Sequence, residues 1–285
     1  MSAELDEIFE RNYAVAEPFT MLIKAQVRSI FDRLLEVQHL PGDMIEFGGC
    51  RGGLSFFLAL CIRELGLAKR VHMLDSFEGL PQTDAVLDGG FERGMMKSDL
   101  EEVLQQCAEF DLDGLLEIHP GWFEDSLPHM PPKAQFCLAH LDADVYGSTK
   151  TALRYVLPRL ASGGAVVLDD CLYFGISGVV QAAEEEIGKD LHLHLGPKTQ
   201  AFIFPKGDPK SDRRSPVWRT LGGRRYDLAD LLSRADYLEL LAWEESFYRE
   251  HARWYGEYRR LLSDTADMPE DSYRIASSIG AIRRS

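Results

Sequence analysis

Cysteine is scarce in this chain: there are five in 285 residues, at positions 50, 61, 107, 137 and 171. Their number is odd, none stand at paired zinc-ligand spacing, and most lie in apolar runs. Reduced, buried thiols in a cytoplasmic protein are therefore expected, not a disulfide framework. Basic residues are also few, with Lys plus Arg at 31 against 46 Asp plus Glu, a formal net charge of −15. A phosphate backbone or an anionic lipid surface needs the opposite sign, so neither nucleic acid nor membrane is expected as a partner. Apolar runs stop well short of the roughly 20 residues that a membrane span needs. The opening Met-Ser-Ala-Glu-Leu-Asp-Glu-Ile is acidic, unlike a signal peptide. No internal repeat stands out. At 45% hydrophobic and 27% charged residues, the rest is ordinary globular composition.

What is present is an alternation of short apolar runs with helical periodicities. Strands are expected at 44–48, 70–75, 115–119, at the start of 136–149, at 165–168, and finally at 191–195 and 199–204. Helices are expected over 19–38, 54–65, 99–108 (capped by Ser98), 148–160 and 175–187, and residues 1–12 read as helical but weakly anchored. Strands alternating with helices imply an α/β fold with a parallel, doubly wound sheet. The last two strands are joined too tightly for a crossover, so they should form an antiparallel pair. Three segments follow: N-terminal helices over 1–40, an α/β core over 41–205, and a linker with a helical extension over 206–285. The extension carries an aromatic stripe, including Tyr226, Trp243, Phe247 and Trp254, suited to closing over an acceptor or joining subunits. A homo-oligomer, a dimer or larger, is expected.

The first strand ends at Glu46 and runs into a turn holding Gly48, Gly49, Gly52 and Gly53. A strand, glycine turn and helix suit a nucleotide-type ligand over a helix N-terminus. These glycines do not spell the dinucleotide fingerprint, and a carboxylate at the strand end would repel a pyrophosphate. The same carboxylate favours an ammonium or sulfonium, and S-adenosylmethionine carries both. Asp75 closes the next strand, where an acid can bond ribose hydroxyls. The rival reading is a nicotinamide-dependent oxidoreductase.

Residues 136–149 combine an apolar strand, a loop bearing Asp142 and Asp144, and a capped helix. Asp169 and Asp170 close the following strand. Sequential strands are usually neighbours, and neighbours lie about 5 Å apart. Acids from the two ends can thus reach one divalent cation, and all-oxygen ligation suits magnesium. Such a cation would lower the barrier to ionising a substrate hydroxyl. Asp142 is the strongest ligand, and either it or Asp144 can serve as base. Tyr146 is open between lining the acceptor site and packing. Arg51 is open between the cofactor carboxylate and a fold role. His140, inside an apolar strand, and His192 and His194 read as core or structural residues.

Five motifs then occur in a fixed order. They are Glu46-Phe-Gly-x-x-Arg51-Gly-Gly, Asp75-Ser-Phe-x-Gly-x-Pro81, Pro120-Gly-Trp122-Phe-x-Asp-Ser-Leu127, Asp142-x-Asp144-x-Tyr146-Gly-x-Thr149 and Asp169-Asp170. Together they resemble the macrocin O-methyltransferase family, which methylates sugar hydroxyls on natural products. The resemblance spans about residues 18–204. It implies a class I methyltransferase fold, S-adenosylmethionine and magnesium. It places metal ligands at Asp142, Asp169 and Asp170. It sets the cofactor against Glu46, Gly48, Arg51, Gly52, Asp75, Ser76, Asp142 and the Trp122-Phe123 turn, with Thr20-Met21 folding over it. The expected activity is magnesium-assisted O-methylation of a sugar hydroxyl on a glycosylated, antibiotic-type metabolite. A catechol-like hydroxyl is the alternative acceptor.

Overall fold

A computed structural model describes residues 3–172, 178–188, 193–195, 197 and 199–203. The expected extension over 206–285 and His192 lie outside these residues. Seven strands form one sheet: β1 (Asp43–Phe47), β2 (Val71–Asp75), β3 (Leu116–Pro120), β4 (Phe136–Leu141), β5 (Leu160–Leu168), β6 (Leu193–Leu195) and β7 (Ala201–Ile203). Their order across the sheet is β3-β2-β1-β4-β5-β7-β6. The first five are parallel, and β7 runs antiparallel to both β5 and β6. Order and direction agree with the doubly wound sheet expected from the alternation. β5 begins at Leu160, before the Gly163-Gly164 pair, so those glycines lie within the strand.

The strands are apolar on both faces because helices cover both. On one face pack α1 (Ala3–Ala16), α2 (Lys24–Val37), α3 (Gly53–Glu64) and α4 (Leu100–Glu109). On the other pack α5 (Phe123–Ser126), α6 (Tyr146–Val156) and α7 (Gly178–Ile187). In α3 every residue from Gly53 to Ile62 is buried, which explains its all-round apolar sequence. α2 buries Val27, Ile30, Phe31, Leu34 and Val37, the 3- and 4-residue spacing of one helix face.

Three local expectations are corrected. The N-terminal segment is firmly held: Ile8, Phe9, Tyr13 and Ala16 are buried, and the Phe9 ring meets those of Phe31 and Phe57 at 5.6 and 5.5 Å. The helix expected from residue 19 starts at Lys24, because Glu17–Phe19 forms a 3-10 turn around Pro18 and Thr20 is extended. Asp99, not Ser98, caps α4, accepting the Glu101 N–H at 2.9 Å.

The loop between β2 and α4 is long and irregular, yet Asp88 pins it. Asp88 is buried, and its carboxylate accepts the N–H of Tyr146 at 2.7 Å and that of Asp84 at 2.6 Å. The first N–H belongs to the opening residue of α6, so Asp88 caps that helix from 58 residues away. Phe9→Ala removes a ring from the centre of the N-terminal packing. It should cost about 3–5 kcal/mol in a urea unfolding titration. A change below about 1 kcal/mol would mean that α1 is not part of the core.

Candidate functional site

The carboxyl ends of the parallel strands form one rim, extended by four backbone bonds beyond the ladders. Gly121 N–H donates to Asp75 O, Gly48 to Leu74 O, Asp142 to Phe47 O and Asp169 to Leu141 O, each at 2.9 Å. These bonds bring Asp75, Gly48, Asp142 and Asp169 to one edge of the sheet. Gly48 sits at φ +85°, and a Cβ there would overlap the Asp142 carbonyl oxygen, so only glycine fits.

Thr20, Met21, Glu46, Gly48 and Asp142 line a single cleft together with Phe19, Leu22, Gly49, Cys50, Gly53 and Leu54. The segment across its mouth leaves a space of about 20 Å³, room for about one water. Close approach of that segment depends on Gly53, where a Cβ would come within 2.5 Å of Thr20 N. Asp75 stands beside the cleft. One of its oxygens accepts the Cys50 N–H and the other the Phe77 N–H, both at 2.7 Å. Burial pushes its proton affinity up, and the two N–H donors oppose the rise.

Other expected residues take supporting positions. Gly52 is the left-handed N-cap of α3. The exposed Arg51 guanidinium lies 5.9 Å from the Phe19 ring centre. Ser76 closes a turn, accepting the Glu78 N–H and donating to Gly79 O. Trp122 opens α5, and the Phe123 ring packs edge-on against Phe47 at 5.1 Å. The Tyr146 hydroxyl donates to Glu185 at 2.6 Å and accepts from Lys150 at 2.7 Å, so α7 holds it.

The acids divide into two groups. Oxygens of Asp142, Asp144 and Asp170 lie within 4.8 Å of one another. Asp169 is committed elsewhere: Gln26 donates to Oδ1 at 2.9 Å and to Oδ2 at 3.1 Å, and Gln200 donates to Oδ1 at 2.8 Å. Gln26 also accepts the Ile23 N–H at 3.1 Å, which ties the start of α2 to the rim. Both glutamines are fully buried. Neither stood out in the sequence, where their only signal is a polar residue at an otherwise apolar position.

His140 is the positive group among these acids. It is buried, with Nδ1 3.3 Å from Glu46 Oε1 and Nε2 3.7 Å from Asp169 Oδ1. These are ion-pair separations, not aligned hydrogen bonds. Desolvation opposes its charge, but Asp169 and Glu46 outweigh it and raise its pKa to about 10. Glu46 also accepts the Ser55 hydroxyl. Asp142 and Asp144 are held well above the usual carboxylate range, first by burial. Repulsion from Asp169 and Asp170 adds for Asp142, and from Asp170 for Asp144. Asp144 adopts φ +57°, a left-handed conformation that turns the chain from β4 toward α6.

Solved structures share this architecture. The O-methyltransferase NovP aligns with a TM-score of 0.57 at 24% identity, covering 65% of this chain and 81% of that one. CalS11, a calicheamicin methyltransferase, aligns with a TM-score of 0.54 at 20% identity, covering 73% and 95%. The fold is that of the class I methyltransferases. The macrocin O-methyltransferase (TylF) family model matches residues 16–190, and the chain belongs to that family. It is 39% identical over 140 residues to an 8-demethyl-8-(2,3-dimethoxy-alpha-L-rhamnosyl)-tetracenomycin-C 4'-O-methyltransferase of Streptomyces olivaceus, across 46% of this chain and 53% of that one. It is 30% identical over 142 residues to a mycinamicin III 3''-O-methyltransferase of Micromonospora griseorubida, across 46% and 56%. The chain thus spans about half the length of the curated relatives it matches. No helix among the described residues is long and apolar enough to cross a membrane.

Two variants probe this site. His140→Gln leaves Glu46 and Asp169 without their buried counter-charge and should cost about 3–5 kcal/mol in urea unfolding. A loss under about 1 kcal/mol would show that the imidazole is uncharged there. Gly53→Ala should displace the Thr20 segment, and ligand titration should show weaker cofactor binding with the fold intact by circular dichroism.

Proposed function

We propose that the chain is a magnesium-assisted, S-adenosylmethionine-dependent O-methyltransferase acting on a sugar hydroxyl of a glycosylated natural product. The observation that carries this reading is the adjacency, on one rim, of the Glu46–Gly53 cleft and the Asp142–Asp144–Asp170 cluster. Family membership and the sugar O-methyltransferase activities named for the two relatives support the reading.

The residues fit both groups chemically. The cluster offers only carboxylate oxygens, the donor set of a hard divalent cation. The cleft offers acids and a glycine turn at a helix N-terminus, and it admits a cofactor once the Phe19–Leu22 stretch moves outward. When bound, the cation supplies Lewis-acid activation of a hydroxyl, and the cofactor supplies a methyl group on a sulfonium.

The chain's own residues do the rest. Asp142 touches both halves of the site, since it lines the cleft and belongs to the cluster. It fixes the acceptor against the donor, where alignment governs the rate of an in-line displacement. The hydroxyl proton passes to Asp142 or Asp144 as the methyl group leaves the sulfonium, which departs as the neutral thioether. Asp142, Asp144 and Asp170 would hold the cation. Asp169, held by the two glutamines, faces the His140 ring.

Mass spectrometry of a panel of glycosylated metabolites and catechols, incubated with cofactor, tests the reading. A gain of one methyl group on a sugar is expected, lost with a chelator and restored by magnesium. Asp144→Asn should raise the magnesium needed for half-maximal rate by about tenfold or more, and Asp169→Asn by less. Full activity in chelator removes the metal role, and methylation of catechols alone removes the sugar assignment.

A further inference from the structure

The first and second strands of the sheet's far half carry a second cluster, apart from the acidic rim. His72 on β2 and Glu117 and His119 on β3 present ligand atoms within 4.8 Å of one another. His72 stands opposite Glu117 in the parallel register, and His119 is two residues further along, on the same face as Glu117. This face is not that of α3: His72 pairs with Ile45, which belongs to the core on the α5–α6 side.

The geometry fits one small cation. His72 Nδ1 lies 3.1 Å from His119 Nε2 and 3.4 Å from Glu117 Oε2, and His119 Nε2 lies 4.0 Å from Glu117 Oε2. A circle through three atoms so spaced has a radius of about 2.1 Å, the length of a zinc–nitrogen or zinc–carboxylate bond. The surroundings orient each ligand. His72 Nε2, on the far side of the ring, faces Asp43 Oδ2 at 3.5 Å, the carboxylate–histidine arrangement that fixes a ligating ring. The other oxygen of Glu117 is bound by Arg70, which leaves Oε2 turned to the histidines. The two rings stack with centres 5.3 Å apart.

We propose that His72, Glu117 and His119 form a binding site for a zinc-class divalent transition ion, separate from the all-oxygen site at the rim. Two imidazoles and one carboxylate select such an ion over magnesium. Glu117 is half-buried, so water could reach an ion held there and complete its coordination. Bound there, the ion cross-links the edge strand β3 to β2, immediately before the turn that carries Trp122. The site concerns β2 and β3 alone and stands whether or not the methyl-transfer reading holds.

Equilibrium dialysis of the untagged full chain against zinc, in excess magnesium to fill the oxygen site, tests it directly. Uptake of one ion per chain is expected, and zinc should raise the melting temperature. His119→Gln should weaken binding by about tenfold or more, and Asp43→Asn, which leaves all three ligands in place, by about tenfold. Cobalt in place of zinc should give visible bands of a low-coordinate nitrogen–oxygen site, lost in His119→Gln. If His119→Gln does not fold, the half-buried Glu117→Gln serves in its place. Zinc binding that survives both ligand substitutions, or that is lost in Asp170→Asn instead, overturns the proposal. So does a wild-type chain that takes up no zinc at micromolar metal.

Discussion

A buried histidine set between two carboxylates holds the rim of this molecule together. His140 stands on the central strand β4 with Glu46 of β1 on one side and Asp169, just past β5, on the other. Carboxylates brought to a desolvated strand edge repel one another and cost stability unless a positive group is placed among them. His140 lies within ion-pair distance of two of them. Asp142, Asp144 and Asp170 form the other group, and burial together with repulsion among the acids raises the proton affinities of Asp142 and Asp144. The carboxylates that flank His140 are thus distinct from those that form the cluster.

The same economy governs the polar groups around the rim. Gln26 serves the first turn of α2 and Asp169 at once. Gln200 serves Asp169 and accepts the Ser29 hydroxyl, so that β7, α2 and β5 meet at one carboxylate. Asp88 caps α6 and fastens the long loop beside it. Each link joins elements far apart in the chain. A shift of any one element therefore moves an acid at the rim, which makes the antiparallel strand and the N-terminal helices part of the site's support.

Much of this was legible in the residues. The parallel sheet follows from alternating periods, and the strand-end acids were visible because an apolar run stopped at a charge. The glycine turn was visible as composition, and its reason, the contact of Gly48 with the Asp142 carbonyl, is spatial. The histidine was read as a core residue, and it is one. Its two carboxylate neighbours were not legible, because they come from other strands. The partners of Asp169 stand 143 and 31 residues away, and His72 and His119 are 47 apart, so no local pattern announces them. The reading of residues 1–12 as weakly anchored failed for the same reason. The amphipathic face is local, but the Phe31 and Phe57 rings that cover it are not.

The kind and order of the elements, and which acids stand at strand ends, were written in the residues alone. Periodicity, capping and turn chemistry act over a few residues, and those are written in order along the chain. The folded arrangement sets which acids share a cluster, which one is locked by glutamines, and which histidine lies between two carboxylates. Those outcomes turn on competition for lone pairs and on desolvation. Both are set by ångström-scale distances between residues that the chain itself keeps far apart.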